Sequence, residues 1–331
     1  MARNWWAPWL VFLALAVALF LAFPEIRRIF ALALQADPRW VVVAAVLLLA
    51  HYVVDAVLFK VSFDVVGVRS TVGSLVPVVF ASLFANLAGI GASSALLVEE
   101  AARRGQPAAR ATAGVLLQLL LDYITFLLFL GVGLAYLALR GQLLAYQLAG
   151  AAALLAFILV LLTALYLGLR RRNDLRRYLE WIRRVVNAVA ARFGRPALLA
   201  ESWARENAAS FATAAVAALS LSRRTLGNGG VGIAFHLLEW LGAYALFPAF
   251  GQPVAPLEAL AGYAVGRLFW IIGITPQGIG VVEGTMALTY ISLGVPVTTA
   301  GAIALTFRGL DFWLPMLIGV FFLPRLPGFR R

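Results

Sequence analysis

The chain has 331 residues, 63% of them hydrophobic and only 13% charged, with a mean hydropathy of +0.92. That composition leaves too little polar surface for a soluble fold and excludes a soluble enzyme. Its 27 Lys and Arg against 15 Asp and Glu give a net charge of +12, which in so apolar a chain reads as cytoplasmic loop arginines rather than a nucleic-acid surface. There is no cysteine, and the only histidines are His51 and His236, so thiolate chemistry is excluded and neither a metal nor a cofactor is expected.

In chain order, Trp5, Trp6 and Trp9 form an interfacial belt before an apolar run to Phe23, which predicts a retained first span over about 7–23. Residues 24–39 read as an interfacial connection. A second span over about 40–66 contains His51, Asp55, Lys60 and Asp64. The apolar segment 75–87 breaks at Gly89-Ile90-Gly91, and a short helix leads on to Arg104. Long helices are predicted over 108–139 and 143–169.

The polar region 170–224 is expected in the cytoplasm. Nine arginines lie between Arg170 and Arg195, opposed only by Asp174 and Glu180. Between them Leu175, Leu179, Ile182, Val185, Val186 and Val189 recur at helical spacing, an amphipathic helix suited to an anionic leaflet or to a partner enzyme. The Ala-rich stretch 197–220 has no clear assignment. Spans resume at about 226–250, 257–275 and 297–323, with a second glycine-rich break at 276–284.

A shift of 189 positions aligns the chain with itself. Gly89-Ile90-Gly91 falls on Gly278-Ile279-Gly280, Gly105 and Pro107 on Gly294 and Pro296, and Asp122 on Asp311. The turn at Arg103, Arg104 and Arg110 is basic while its counterpart at 293–299 is uncharged, so both units obey the positive-inside rule only if they are inverted. The expectation is an all-α polytopic membrane protein of about six full spans plus two re-entrant helical hairpins in an inverted-topology repeat. The two units are 71–140 and 256–325, and both termini are placed in the cytoplasm. Irregular backbone at such depth is tolerated where it lines a cavity, and Gly280 opens a helix whose free N–H groups favour an anion.

The run Thr275-Pro276-Gln277-Gly278-Ile279-Gly280-Val281-Val282-Glu283-Gly284, followed by Gly294-Val295-Pro296 and an Ala-rich helix with Arg308, resembles the lysylphosphatidylglycerol synthase transmembrane family. That flippase-like family includes the membrane half of multiple peptide resistance factors. Gln277 stands where the family commonly has glycine, and Asn86 is followed by Leu87-Ala88 where its earlier motif often has proline and glycine. The resemblance implies movement of phospholipids, aminoacyl-phospholipids or polyprenyl-linked lipids across a prokaryotic cytoplasmic membrane. The sequence ends at Arg331 without the soluble transferase domain of the synthases, so synthase activity is not expected.

Ionisable groups in a bilayer need a partner or a function. Arg267 and Arg308 are the candidate phosphate ligands, with Gly278 and Gly280 at the break and Glu239, Glu283 and Asp311 orienting the arginines or relaying charge; Asn86 is a further cavity candidate. Arg308 and Asp311 are spaced to pair on one helix face, and Arg267 is within reach of Glu283 or Glu239. His51 with Asp55 is read as a proton-linked pair or a structural one, and Asp122 as bonded to a neighbouring Ser or Tyr. The same residues also fit a purely structural salt-bridge network. The leading function is a non-enzymatic lipid flippase or scramblase with an anionic-headgroup substrate, and a second copy of the chain and a lipid-modifying enzyme are its candidate protein partners. The alternatives are an accessory subunit of a lipid-modifying or glycan-assembly enzyme, and an intramembrane transferase.

Overall fold

The computed structural model describes residues 31, 34–86, 92–170, 172–192, 197, 199–219, 223–273 and 275–323. The expected first span, the Gly89-Ile90-Gly91 break and residues 324–331 lie outside them. Every regular element among the described residues is a helix. Five are long and apolar enough to cross a membrane: Pro38–Val65, Ala108–Leu139, Ala145–Leu167, Gly229–Ala249 and Val297–Phe322. These correspond to five of the six full spans read from the sequence, and the chain is a multi-pass membrane protein.

Helix α1 (Pro38–Val65) begins where Asp37 accepts a hydrogen bond from the Arg39 amide, with Pro38 at the first helical position. Its 28 residues extend about 42 Å, more than the hydrocarbon thickness. Helices α2 (Val72–Ala85) and α3 (Ala92–Arg103) are too short to span alone. A reciprocal capping box between Thr71 and Ser74 starts α2. Then come α4 (Ala108–Leu139), α5 (Ala145–Arg170), α6 (Arg172–Arg192) and α7 (Trp203–Leu219). The second half comprises α8 (Arg223–Ala249), α9 (Pro256–Ile272), a 3-10 turn (Pro276–Gly278), α10 (Val281–Ser292), α11 (Val297–Arg308), a π-turn (Gly309–Trp313) and α12 (Leu314–Phe322).

Helix boundaries repeat in the register read from the sequence: α3 and α10 cover 92–103 and 281–292, and α4 and α11 begin at 108 and 297. Polar contacts show where each short pair begins and ends. Arg104, just past α3, reaches the Ser74 carbonyl at the start of α2, and the Arg69 amide donates to Gln106. Both ends of the α2–α3 segment therefore lie beside the N-terminus of α4. Near the α9 N-terminus, Glu258 accepts from Tyr136 and Arg140 at the opposite end of α4. Leu293, just past α10, packs with Leu137 and Val265. The α9–α10 pair thus starts and returns at the other end of the molecule.

Small residues let these helices approach closely, the main route to packing when lipid is as apolar as the side chains. A Cβ at Gly242 would lie 2.6 Å from Leu48, where α8 meets α1. Gly262 admits the Tyr290 ring and Gly266 faces Met286, so α9 and α10 run antiparallel in contact. Gly133 of α4 meets Ala264 and Ala261 of α9.

The arginine-rich helix differs from its expectation. Leu175, Leu179 and Ile182 do not face lipid but pack on Trp203, Ala204 and Ala208 of α7 and on Ala164 and Leu167 of α5. The stretch that pattern alone left unassigned is therefore their covering helix. A second strip, Tyr178, Trp181 and Val185, stays exposed, with Tyr178 and Trp181 stacked. Outside the spans, the Arg183 hydrogen bond holds the Glu180 carboxyl below the usual carboxylate range.

Where α12 crosses α2, a Cβ at Gly319 would sit 2.1 Å from the Phe80 carbonyl oxygen, a clash with backbone that no rotamer relieves. Gly319→Ala is expected to cost about 1–3 kcal/mol by overpacking and to lower the melting temperature of the detergent-purified protein. Gly301→Ala, at a position with nothing within 4 Å, should leave it unchanged.

Candidate functional site

At the tip of the α9–α10 pair lies a small, partly open cleft. It is lined by Tyr52 of α1, Leu83 of α2, Glu239 of α8, Tyr263, Arg267 and Trp270 of α9, Gln277, Val282, and Phe307, Arg308, Asp311 and Phe312. Six helices and two irregular turns thus converge on one polar spot in an apolar bundle.

The break after α9 shapes one wall. Gln277 is the only described non-glycine residue at positive φ (φ 55°), and Gly278 and Gly280 follow at 68° and 82°. A side chain in this left-handed region costs about 1–3 kcal/mol, which explains why glycine suits the position. Gln277 is offset by two contacts: its Oε1 accepts from Trp270 Nε1 at 3.2 Å, and its carbonyl accepts from Arg308 at 2.8 Å. Gly278 is buried, and a Cβ there would lie 2.6 Å from Val282.

Glu283 has two roles. Its Oε2 accepts from the Gly280 amide at 2.7 Å, capping α10, while Oε1 accepts from Arg308 Nε at 2.8 Å. Arg308 is 2% exposed and lies over the Phe312 ring. Such a buried charge is tolerated only with a partner, and Glu283 supplies it.

A second network surrounds Arg267. Its guanidinium donates to both Asp122 oxygens at 3.2 and 3.3 Å and to Glu239 at 3.3 Å, and it stacks over Trp270 and Phe235. Tyr263 donates to Glu239 at 2.9 Å and lies 3.0 Å from His236 Nδ1, while His236 Nε2 is 3.1 Å from Asp122 Oδ1. His236 thus bridges Tyr263 and Asp122, and with Arg267 and Glu239 these residues form one connected polar network.

The structure brings together Arg267, Gly278, Gly280, Glu283, Arg308, Asp311 and Glu239 around this cleft. Several details differ from the sequence reading. Arg308 pairs with Glu283 and not with Asp311, because the π-turn over 309–313 rotates Asp311 toward α1. Asp311 Oδ1 instead lies 3.4 Å from His51 Nε2, and the Asp311 carbonyl accepts from Tyr52 at 2.6 Å. His51 does not pair with Asp55, which accepts from Gln118 at 3.0 Å. Asp122 has long-range partners rather than a local Ser or Tyr. Asn86 stands off the cleft: it ends α2 and accepts from the Ser93 amide. The N–H of Gly280, the residue just before α10, is taken by Glu283.

Tyr52, Tyr263 and Gln277 were not candidates from sequence. Tyr263 carried a usable signal, since it lies four residues before Arg267 and shares its helix face. Asp122–Arg267, across two helices, had none.

Glu283→Ala removes the carboxylate from a buried guanidinium. It is expected to destabilise the protein by about 3–5 kcal/mol in thermal unfolding, and Glu283→Ala with Arg308→Gln should recover a substantial part of that loss.

No solved structure matches the chain. Two proteins described as UPF0104 membrane proteins, from Methanothermobacter thermautotrophicus, are similar to it over short stretches. One is 34% identical over 86 residues, 26% of each chain, and the other 30% identical over 97 residues, 29% of each. The chain thus spans less than a third of the length of the curated relatives it matches. The family model for the lysylphosphatidylglycerol synthase TM region, in contrast, matches residues 6–319. With the membrane spans and the glycine-broken α9–α10 pair both in place, the chain belongs to the lysylphosphatidylglycerol synthase transmembrane family.

Proposed function

We propose that the protein is a lipid flippase or scramblase of a prokaryotic cytoplasmic membrane, moving phospholipid, aminoacyl-phospholipid or polyprenyl-linked lipid without chemical turnover. The observation that carries this reading is the location of the charged cleft. It lies at the tip of one short helix pair that opens to one end of the molecule, while the last turns of α2, from a pair opening to the other end, supply Leu83 to its wall. In this reading the two pairs are re-entrant hairpins of an inverted repeat, and the cleft is the midplane site between them. Arg69, Arg103, Arg104 and Arg110 then mark the cytoplasmic end, and both termini are cytoplasmic.

A headgroup entering from lipid keeps its acyl chains in the bilayer. Its phosphate competes with Glu283 for Arg308, a guanidinium already desolvated and aimed by Gln277 and Phe312. Exchange of one anion for another at a fixed guanidinium avoids ever burying an unpaired charge. An anionic headgroup therefore enters by substitution.

A second reading, an accessory subunit of a lipid-modifying or glycan-assembly enzyme, draws on one feature: the exposed Tyr178–Trp181 strip beside exposed Arg177 and Arg184. It accounts for the cytoplasmic helices but leaves the cleft without a use.

The test is reconstitution into liposomes carrying anionic or zwitterionic fluorescent phospholipid, followed by dithionite quenching of the outer leaflet. Quenching well beyond the outer-leaflet half, strongly reduced by Arg308→Gln, is the expected result. Quenching that stops at half for phospholipid and polyprenyl-linked probes alike would sink the transport reading.

A further inference from the structure

We propose that His51 and Asp311 form a proton-binding site on the cleft that couples lipid headgroup movement to proton movement; this rests on the transport reading above. The inference starts from a comparison of two histidine–aspartate pairs. Each joins a histidine from one half of the chain to an aspartate from the other: His236 of α8 to Asp122 of α4, and His51 of α1 to Asp311 after α11. The aspartates occupy equivalent positions in the 189-residue register.

Their surroundings differ in one decisive way. Asp122 is clamped by Arg267, and His236 is closed by Tyr263 and Glu239, so every polar atom of that pair is engaged. Asp311 has no arginine. Its Oδ1 and both ring nitrogens of His51 are buried without a hydrogen-bond partner, although Oδ1 and Nε2 are only 3.4 Å apart. His51 itself is 2% exposed, with its ring against Tyr52 and Phe235.

Arg308 and Glu283 sum to zero, whereas the His51–Asp311 pair, with His51 neutral, carries one negative charge that one added proton brings to zero. The groups that face it are Tyr52 and Asp55 on α1, Glu239 on α8, Arg267 on α9 and Arg308 on α11. Helix α2 contributes the apolar Phe80 and Leu83. Arg267 and Arg308 make their ion pairs with Asp122, Glu239 and Glu283, and among the described residues no guanidinium lies within ion-pair distance of Asp311.

The backbone supplies a means of response. Asp311 sits inside a π-turn, a feature that recurs at functional sites, and Tyr52 holds the Asp311 carbonyl. Proton gain or loss therefore acts on a residue whose main chain is anchored by α1 and whose side chain lines the cleft. A headgroup that enters when the pair is deprotonated meets a different local charge from one that enters when it is protonated.

The test uses the full chain in proteoliposomes, with lipid redistribution followed from about pH 5 to pH 8, where carboxylate and imidazole groups titrate. The wild-type rate is expected to change by up to about tenfold per pH unit on its sloping limb, the limit for one proton. His51→Gln and Asp311→Asn should each flatten that profile, and an imposed pH gradient should bias lipid between leaflets only in the wild type. Asp311→Glu, a conservative variant that keeps the carboxylate, should retain a pH-dependent profile displaced along the axis. It carries the test if Asp311→Asn fails to elute as a monodisperse species. A flat wild-type profile, or variants with the wild-type profile, would overturn the proposal. Infrared difference spectra between the two pH extremes provide a readout that needs no transport. A protonation band present in the wild type and absent from His51→Gln and Asp311→Asn supports the site, and a band retained in both refutes it. If no lipid moves at any pH, the transport reading and the coupling fall, and the spectra alone decide whether the pair binds a proton.

Discussion

The interior is organised by the placement of Arg267 between Asp122 and Glu239. A guanidinium withdrawn from water costs several kcal/mol, and two carboxylates on different helices are needed to make its position tolerable. That requirement ties α9 to α4 and to α8 in one step. It also explains the neighbours: His236 meets Asp122, and Tyr263 satisfies the remaining oxygen of Glu239. The result is a connected polar unit around which the apolar clusters of α1, α4, α8 and α9 are packed.

The cleft is built differently. Its second arginine, Arg308, is held by a backbone carbonyl from the irregular stretch after α9 and a single carboxylate from the first turn of α10. Glu283 can reach it because the break at Gln277–Gly280 starts α10 beside the π-turn, and the same carboxylate caps that new helix. A strained turn, a helix cap and a buried ion pair are thus one arrangement. The strain at Gln277 persists because Trp270 and Arg308 both bind to it. In the network around Arg267 only the arginine Nε is buried without a hydrogen-bond partner, whereas His51 and Asp311 leave three such atoms beside the cleft.

Much of this was legible in the chain. Apolar run length marked the long helices, because a backbone in hydrocarbon must satisfy its own hydrogen bonds. Helix boundaries 189 positions apart, and Gly105 with Gly294 at positive φ, kept their register in three dimensions. Most site residues were identifiable because charge is rare in so apolar a chain, so Arg267, Glu239, Glu283, Arg308 and Asp311 stood out individually. Their pairing was less accessible. Spacing along a helix suggested Arg308 with Asp311 and His51 with Asp55, and both failed for a physical reason: the π-turn rotates Asp311 away from Arg308, and Asp55 faces Gln118 on α4. The amphipathic stripe on α6 was correctly read as apolar, yet its cover is α7, a helix whose alanine-rich pattern carries little periodic signal.

The sequence by itself determined the solvent of this protein, the position of five long apolar helices, the register of the short-helix boundaries and the short roster of buried charges. These depend on composition and local periodicity, which a one-dimensional chain displays directly. Only the tertiary structure decided which acid neutralises which base, that Asn86 stands apart from the cleft, and that Asp311 is left to His51. Those outcomes depend on angstrom-scale distances between helices far apart in the chain, where the cost of an unpaired charge selects among partners that look equally available in the sequence.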